Sequence, residues 1–152
     1  MPLPMIVRRL GPGDLALLAD AGTEVFDGPV VADAARRFLA DPGHHLVAAI
    51  VDGRIAGFAS AVVCLHPDKP PELFVMEVGV ADRARRQGVG RRLVEAILAV
   101  GREAGCALAW VATETGNLPA RALYRAAGGT PDAGEAAVFT FPLAPGGGAD
   151  AR

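Results

Sequence analysis

The residues best suited to chemistry lie in one stretch, Glu77-Val-Gly-Val-Ala-Asp-Arg-Ala-Arg-Arg-Gln-Gly-Val-Gly-Arg-Arg92. Val78-Gly79-Val80 reads as the end of a strand. It delivers the chain to a short cationic loop that opens directly into helical spacing. The first N–H groups of a helix have no partner within it, and the helix dipole favours an anion there. Gly88 and Gly90 lack Cβ atoms, so a bulky anion can approach the backbone closely. Arg83, Arg85, Arg86, Arg91 and Arg92 supply neutralising charge. These residue types in this order point to phosphate or pyrophosphate. A P-loop would need GxxxxGK[ST], and no Lys-Ser or Lys-Thr follows; a dinucleotide fingerprint would need a third glycine where Leu93 stands. A solvated basic helix start would account for the charge alone. The hexad Arg85–Gly90 behind Val78–Val80 says more than a lone GxG.

Other reactive side chains are sparse. Tyr124 is the single tyrosine. Cys64 and Cys106 show no CxxC or Cys/His spacing and read as reduced thiols behaving as small apolar groups. His44, His45 and His66 form no recognisable metal set, so no metal is expected. His44-His45 opens a strand, where one side chain points in and one out.

The elements that must position these groups follow from periodicity and turn chemistry. Met5–Arg9 is a first strand. Pro12 starts a helix running to about Glu24, which Phe26-Asp27-Gly28-Pro29 breaks. A second helix runs from about Val31 to Ala40 and stops at Asp41-Pro42-Gly43. Leu46–Val51 and Ile55–Leu65 are strands joined at Asp52-Gly53, a pair suited to a type I′ turn. His66–Pro71 is a proline-rich loop, and Leu73–Val80 a further strand. A helix spans about Gly88 to Glu103, a short strand Ala107–Ala112, and a helix Leu118–Ala127 capped by Asn117 and ended by Gly128-Gly129. Ala136–Leu143 is read as a final strand. The order βααβββαβαβ is an α/β fold with a central mixed, mostly antiparallel sheet and about four helices.

The 152 residues are expected to form one domain over 1–143, with 144–152 a disordered tail. A 51% apolar composition at a formal net charge of −2 gives no basic surplus for nucleic-acid binding. No apolar run reaches the roughly 18–20 residues of a membrane span. Met1–Leu10 lacks the apolar core of a secretory signal, which makes the cytoplasm the default expectation.

Arg85-Arg86-Gln87-Gly88-Val89-Gly90 matches the [RQ]-x-x-G-x-[GA] cofactor motif of the GNAT superfamily of N-acetyltransferases, which the chain resembles over nearly its whole length. Asn117-Leu-Pro-Ala-Arg-Ala-Leu-Tyr124, followed by Gly128, is similar to the family's N-x-x-[AS]-x-x-[LF]-Y helix that packs along the cofactor. Gly128-Gly129 stands where Gly-Phe is usual. Shorter matches at Phe26–Pro29, Leu46–Ala49 and Glu77 resemble the aminoglycoside 3-N-acetyltransferase type I group, although residues 115–119 lack that group's acidic run.

The resemblance implies direct transfer of an acetyl group from acetyl-CoA to a primary amine in a ternary complex. Val78, Gly79 and Val80 would receive the pantetheine arm where their strand parts from Ala107–Ala112. A backbone N–H near Val78 would polarise the thioester carbonyl. Arg85, Arg86, Gln87, Gly88, Val89, Gly90 and Arg91 would hold the pyrophosphate, with Asn117, Ala120 and Tyr124 alongside. Tyr124 would protonate the departing thiolate. Glu77 would take the amine proton, directly or through water, with Glu114 as alternate. The loop Phe26–Val30, the loop 66–71 and Thr130–Glu135 are candidate acceptor walls. Asp27, Asp68, Glu72, Asp132 and Glu135 in or beside them would suit a polycationic amine. Other acceptors stay open: a protein N-terminus, a lysine or a metabolite amine. So do a non-catalytic coenzyme A-binding module and a generic nucleotide-binding domain. A homodimer is compatible with the final strand as an edge.

Overall fold

Asp52 and Gly53 both take left-handed backbone angles, φ 51° and 73°, as a type I′ turn requires. They join the central hairpin of a computed structural model that describes residues 4–146. The strands are β1 (Met5–Arg9), β2 (His44–Val51), β3 (Arg54–Cys64), β4 (Glu72–Val80) and β5 (Leu108–Val111). The helices are α1 (Leu15–Ala19), α2 (Ala32–Ala40), α3 (Val89–Glu103) and α4 (Leu118–Ala126). The sheet order is β1-β2-β3-β4-β5, antiparallel except for the parallel pair β4–β5.

Both faces of the sheet centre are covered, which is why β2 and β3 are apolar almost throughout. On one face Val47, Ala49, Ala59, Ala61, Leu73 and Val75 pack against Val89, Leu93, Ile97 and Val100 of α3. On the other, Leu46, Ala48, Ile55 and Phe58 pack against Leu18 of α1 and Ala35 and Leu39 of α2. As alternation requires, His45 is buried and its neighbour His44 is not. Among the described residues no helix is long and apolar enough to cross a membrane.

Two sequence expectations need correction. The helix from Pro12 to Glu24 is not continuous: α1 is flanked by 3-10 turns at Pro12–Asp14 and Gly22–Glu24. Gly22, at φ 66°, takes the left-handed conformation that ends a helix. Ala136–Leu143 is exposed and does not form the expected final strand. Its β-prone pattern is real, but local propensity alone does not make a strand. Of the expected tail, Ala144–Gly146 is exposed and 147–152 lies outside the described residues.

Candidate active site

β4 carries the irregularity from which the site grows. Val75 pairs with Ala61, yet Glu77 pairs with Ser60, so Met76 is an extra residue in the ladder. Such a bulge turns the following side chains over. Val75 joins the core under α3, whereas Glu77 is exposed on the face shared by Ser60 and Phe58. Strict alternation would have left Val75 and Glu77 on one face.

The second departure is between β4 and β5. They pair only from Glu72–Leu108 to Val75–Val111, after which the strands part. A cleft of about 540 Å³ opens there. Val78, Gly79 and Val80 line one wall; Thr113, Asn117, Ala120 and Tyr124 line the other. Thr23, Glu24, Val25, Phe26 and Asp27 form the lip. Phe26 stacks on Phe58 at a centroid distance of 4.2 Å, which fixes the lip to the sheet. Arg83 donates from Nε to Glu24 Oε1 at 2.8 Å and adds a second tie.

Tyr124 is placed by a well-terminated helix. Asn117 Oδ1 accepts the Ala120 N–H at 3.1 Å, which caps the start of α4. At the other end Gly129 N–H reaches Tyr124 O at 2.9 Å and Gly128 N–H reaches Arg125 O at 3.0 Å. These are the paired bonds of a Schellman motif, with Gly128 left-handed at φ 98°. A Cβ on residue 129 would lie 3.0 Å from Tyr124 O, so glycine in place of the usual Phe fits this tight ending. Burial pushes the Tyr124 phenol above its ordinary value, so it stays protonated through the neutral range.

Arg85–Gly88 forms the floor beside the cleft. Arg86 and Gly88 take φ of 61° and 75°, and the first bond into α3 is Arg92 N–H to Gly88 O at 3.2 Å. The N–H groups of Val89, Gly90 and Arg91 therefore precede the helical ladder. Nothing lies within 4 Å of where a Gly88 Cβ would be, so the approach to this backbone is open. Arg85 is held by Asp82 at 3.1 Å, and Arg91 by Glu95 at 2.9 Å, both at the surface.

The cleft thus gathers Phe26, Asp27, Glu77, Val78, Gly79, Val80, Arg85, Asn117, Ala120 and Tyr124. Arg86, Gln87, Gly88, Val89, Gly90 and Arg91 continue from Arg85 as loop and helix start. Glu114 is exposed and outside the lining, as are Asp68, Asp132 and Glu135, and the half-buried Glu72 lies outside it too. Thr23, Glu24, Met76 and Thr113 carried no sequence signal; the fold alone brings them in. A second depression of about 590 Å³, beside Arg9, His45 and Glu103, gathers none of the predicted residues.

Residues 16–128 match the model of the acetyltransferase (GNAT) family. The N-alpha-acetyltransferase RimI of Mycobacterium tuberculosis (strain ATCC 25618 / H37Rv) is 31% identical over 127 residues, covering 82% of this chain and 78% of that protein. Among solved structures, an aminoglycoside acetyltransferase from an uncultured soil metagenomic sample, in complex with sisomicin, superimposes with a TM-score of 0.82. It is 17% identical, over 92% of this chain and 97% of that one. The aminoglycoside N-acetyltransferase AAC(6')-Iy in complex with CoA gives a TM-score of 0.75 at 21% identity, over 95% and 98%. At these identities the two structures speak for the fold.

Proposed function

The chain belongs to the acetyltransferase (GNAT) family, and from that premise we propose that it moves an acetyl group from acetyl-CoA to a primary amine of a cationic small molecule, an aminoglycoside first among candidates. Residues 1–143 would act as one catalytic domain. The observation that carries this reading is the convergence, in one cleft, of a parted strand edge, a protonated Tyr124 and the exposed Glu77, with the loop to an unpaired helix start leaving it at Arg85.

The residues present fit coenzyme A. Beyond Val75 the β4 backbone has no β5 partner, so Val78 and Val80 have polar groups available to an extended amide chain. The open Gly88 and the N–H groups of Val89–Arg91 suit a pyrophosphate, with the arginines neutralising it. When bound, acetyl-CoA supplies an activated acetyl thioester. The Val78 N–H would donate to a carbonyl oxygen that gains charge in the transition state. Tyr124 holds at Oη a proton for the departing thiolate. Glu77 sits on the lip side, where it can accept the amine proton directly or through water. Glu114, outside the lining, is the weaker alternate. With Glu24 paired to Arg83, Asp27 and Glu77 make the acceptor side acidic, which favours a polycation.

A second reading, a peptide N-terminus as acceptor, draws on the likeness to the mycobacterial N-alpha-acetyltransferase. Thiol release from acetyl-CoA against aminoglycosides, polyamines, amino acids and short peptides separates them. Fast release with one aminoglycoside class supports the first reading, and the acetylated position identifies the subgroup. Release with peptides or a metabolite keeps the mechanism and discards the drug as acceptor. Tight coenzyme A binding without release from any amine would make the chain a non-catalytic binding module. Displacement of coenzyme A by ATP or a dinucleotide would overturn both.

A further inference from the structure

The second depression, of about 590 Å³, opens at the end of the sheet away from the parted strands. It forms where β1 ends at Arg9, β2 begins at His45 and β3 runs out through Val63 and Leu65. Val100 and Glu103, from the end of α3, complete it. Its volume is that of a small-molecule site, roughly 300–1,000 Å³. Most of the length of α3, on the order of 20 Å, separates it from the pyrophosphate loop. A small ligand held here does not reach the acetyl-transfer cleft.

His45 is only 5% exposed, yet it lines this depression. Its Nδ1 accepts from Arg9 Nη2 at 2.6 Å, which puts the ring proton on Nε2. Among the described residues that Nε2–H has no acceptor, and it is not sealed in the interior as His66 Nε2 is. A buried donor without a protein partner calls for an acceptor from outside. Arg9 commits one of its five N–H groups to His45 and, among the described residues, makes no ion pair. Glu103 stands in the last turn of α3, where the helix dipole already gathers negative charge, and it too has no ion-pair partner there. Val63, Leu65 and Val100 add apolar lining.

We propose that this depression binds a small aliphatic α-amino acid as a zwitterion. Its carboxylate takes donors from Arg9 and the His45 Nε2–H, its ammonium faces Glu103, and its side chain rests on Val63, Leu65 and Val100. A simple anion would match Arg9 and His45 but meet the charge of Glu103. A simple cation would match Glu103 but be repelled by Arg9 and leave the His45 N–H without an acceptor. A wholly apolar molecule would strip water from all three polar groups and return nothing. The zwitterion with a branched apolar side chain satisfies every kind of group in the lining.

The test follows the imidazole nitrogens of the full chain, labelled with nitrogen-15, as L-leucine is added; the His45 signal is assigned by its loss in His45→Gln. A saturable movement of that signal is expected. Isocaproate, which lacks the ammonium, and isoamylamine, which lacks the carboxylate, should each bind at least about tenfold more weakly. Glu103→Gln should weaken leucine by about tenfold as well. Leu65→Asp, at a residue 81% exposed, removes apolar lining at a position where folding is not at stake and should also weaken it. Saturating coenzyme A should leave the titration unchanged. No saturable movement with leucine overturns the proposal. Displacement of leucine by coenzyme A overturns it too, since leucine would then occupy the acetyl-transfer cleft. Isocaproate or isoamylamine binding as tightly as leucine overturns the zwitterion, as does full leucine affinity in both Glu103→Gln and Leu65→Asp. None of these readouts depends on acetyl transfer.

Discussion

Glu77 stands opposite Ser60, although Val75, two residues before it, stands opposite Ala61 on the other face of the sheet. The bulge at Met76 is therefore what turns a carboxylate toward the cleft, on the side of Ser60 and Phe58. Replacing Glu77 by Gln keeps the shape and removes the carboxylate that we propose accepts the amine proton. Turnover is expected to fall by about 10²-fold or more, with a changed pH dependence of kcat/KM. A variant whose pH profile overlays the parent would remove Glu77 from the chemistry.

Gly79 sets how closely the lip can approach. A Cβ there would lie 2.6 Å from Val25 O and 2.8 Å from the Phe58 ring, and a backbone carbonyl cannot swing aside as a side chain would. Gly79→Ala must lift residues 22–26 from the sheet. Overpacking of this kind costs about 1–3 kcal/mol. A lowered Tm with a raised KM for the amine is expected. An unchanged Tm would mean the lip is looser than this contact implies.

Tyr124 is half-buried, held by the capped and closed helix α4, and keeps its proton at neutral pH. Tyr124→Phe deletes one oxygen and leaves the packing. Turnover should drop by about 10²–10⁴-fold with coenzyme A affinity unchanged. Equal loss of affinity would assign the hydroxyl to binding instead.

How much of this was legible in the sequence depends on how local each signal is. The loop Arg85–Gly90, the Asn117 cap and the Asp52-Gly53 turn are written in a few adjacent residues, and each forms where the pattern puts it. The bulge at Met76 is not, because it is a property of the pairing between β3 and β4. Thr23 and Glu24 enter the lip only because Gly22 breaks the expected helix. Asp132 and Glu135 had the right chemistry for an acceptor wall, but nothing in the sequence says which loops meet. Ala136–Leu143 has strand character in its own residues, but local propensity alone does not make it a strand.

His45 provides a prediction about stability rather than turnover. Its Nδ1 lies 2.6 Å from Arg9 Nη2. A guanidinium only donates, so Nδ1 accepts and the imidazole is the neutral tautomer with its proton on Nε2. Burial lowers the His45 pKa first, the charges of Arg9 and His44 lower it further, and Asp41 opposes them. The unfolded chain takes up a proton near pH 6.5 that the folded chain refuses. Below that pH the unfolded state binds more protons, so stability falls as pH falls, by at most about 1.4 kcal/mol per pH unit from this one group. The contribution is intact above pH 6.5. Asp14, lowered by Arg8, and Asp41, lowered by His44, also cost stability in acid, but only once pH approaches the ordinary carboxylate range near 4. The two windows are separable. Tm measured from pH 7 to pH 5 should decline in the parent chain. His45→Gln, whose amide oxygen can still accept from Arg9, should flatten that stretch while leaving the loss near pH 4 in place. Parallel curves for the two proteins between pH 6.5 and 5 would place the acid sensitivity on another group.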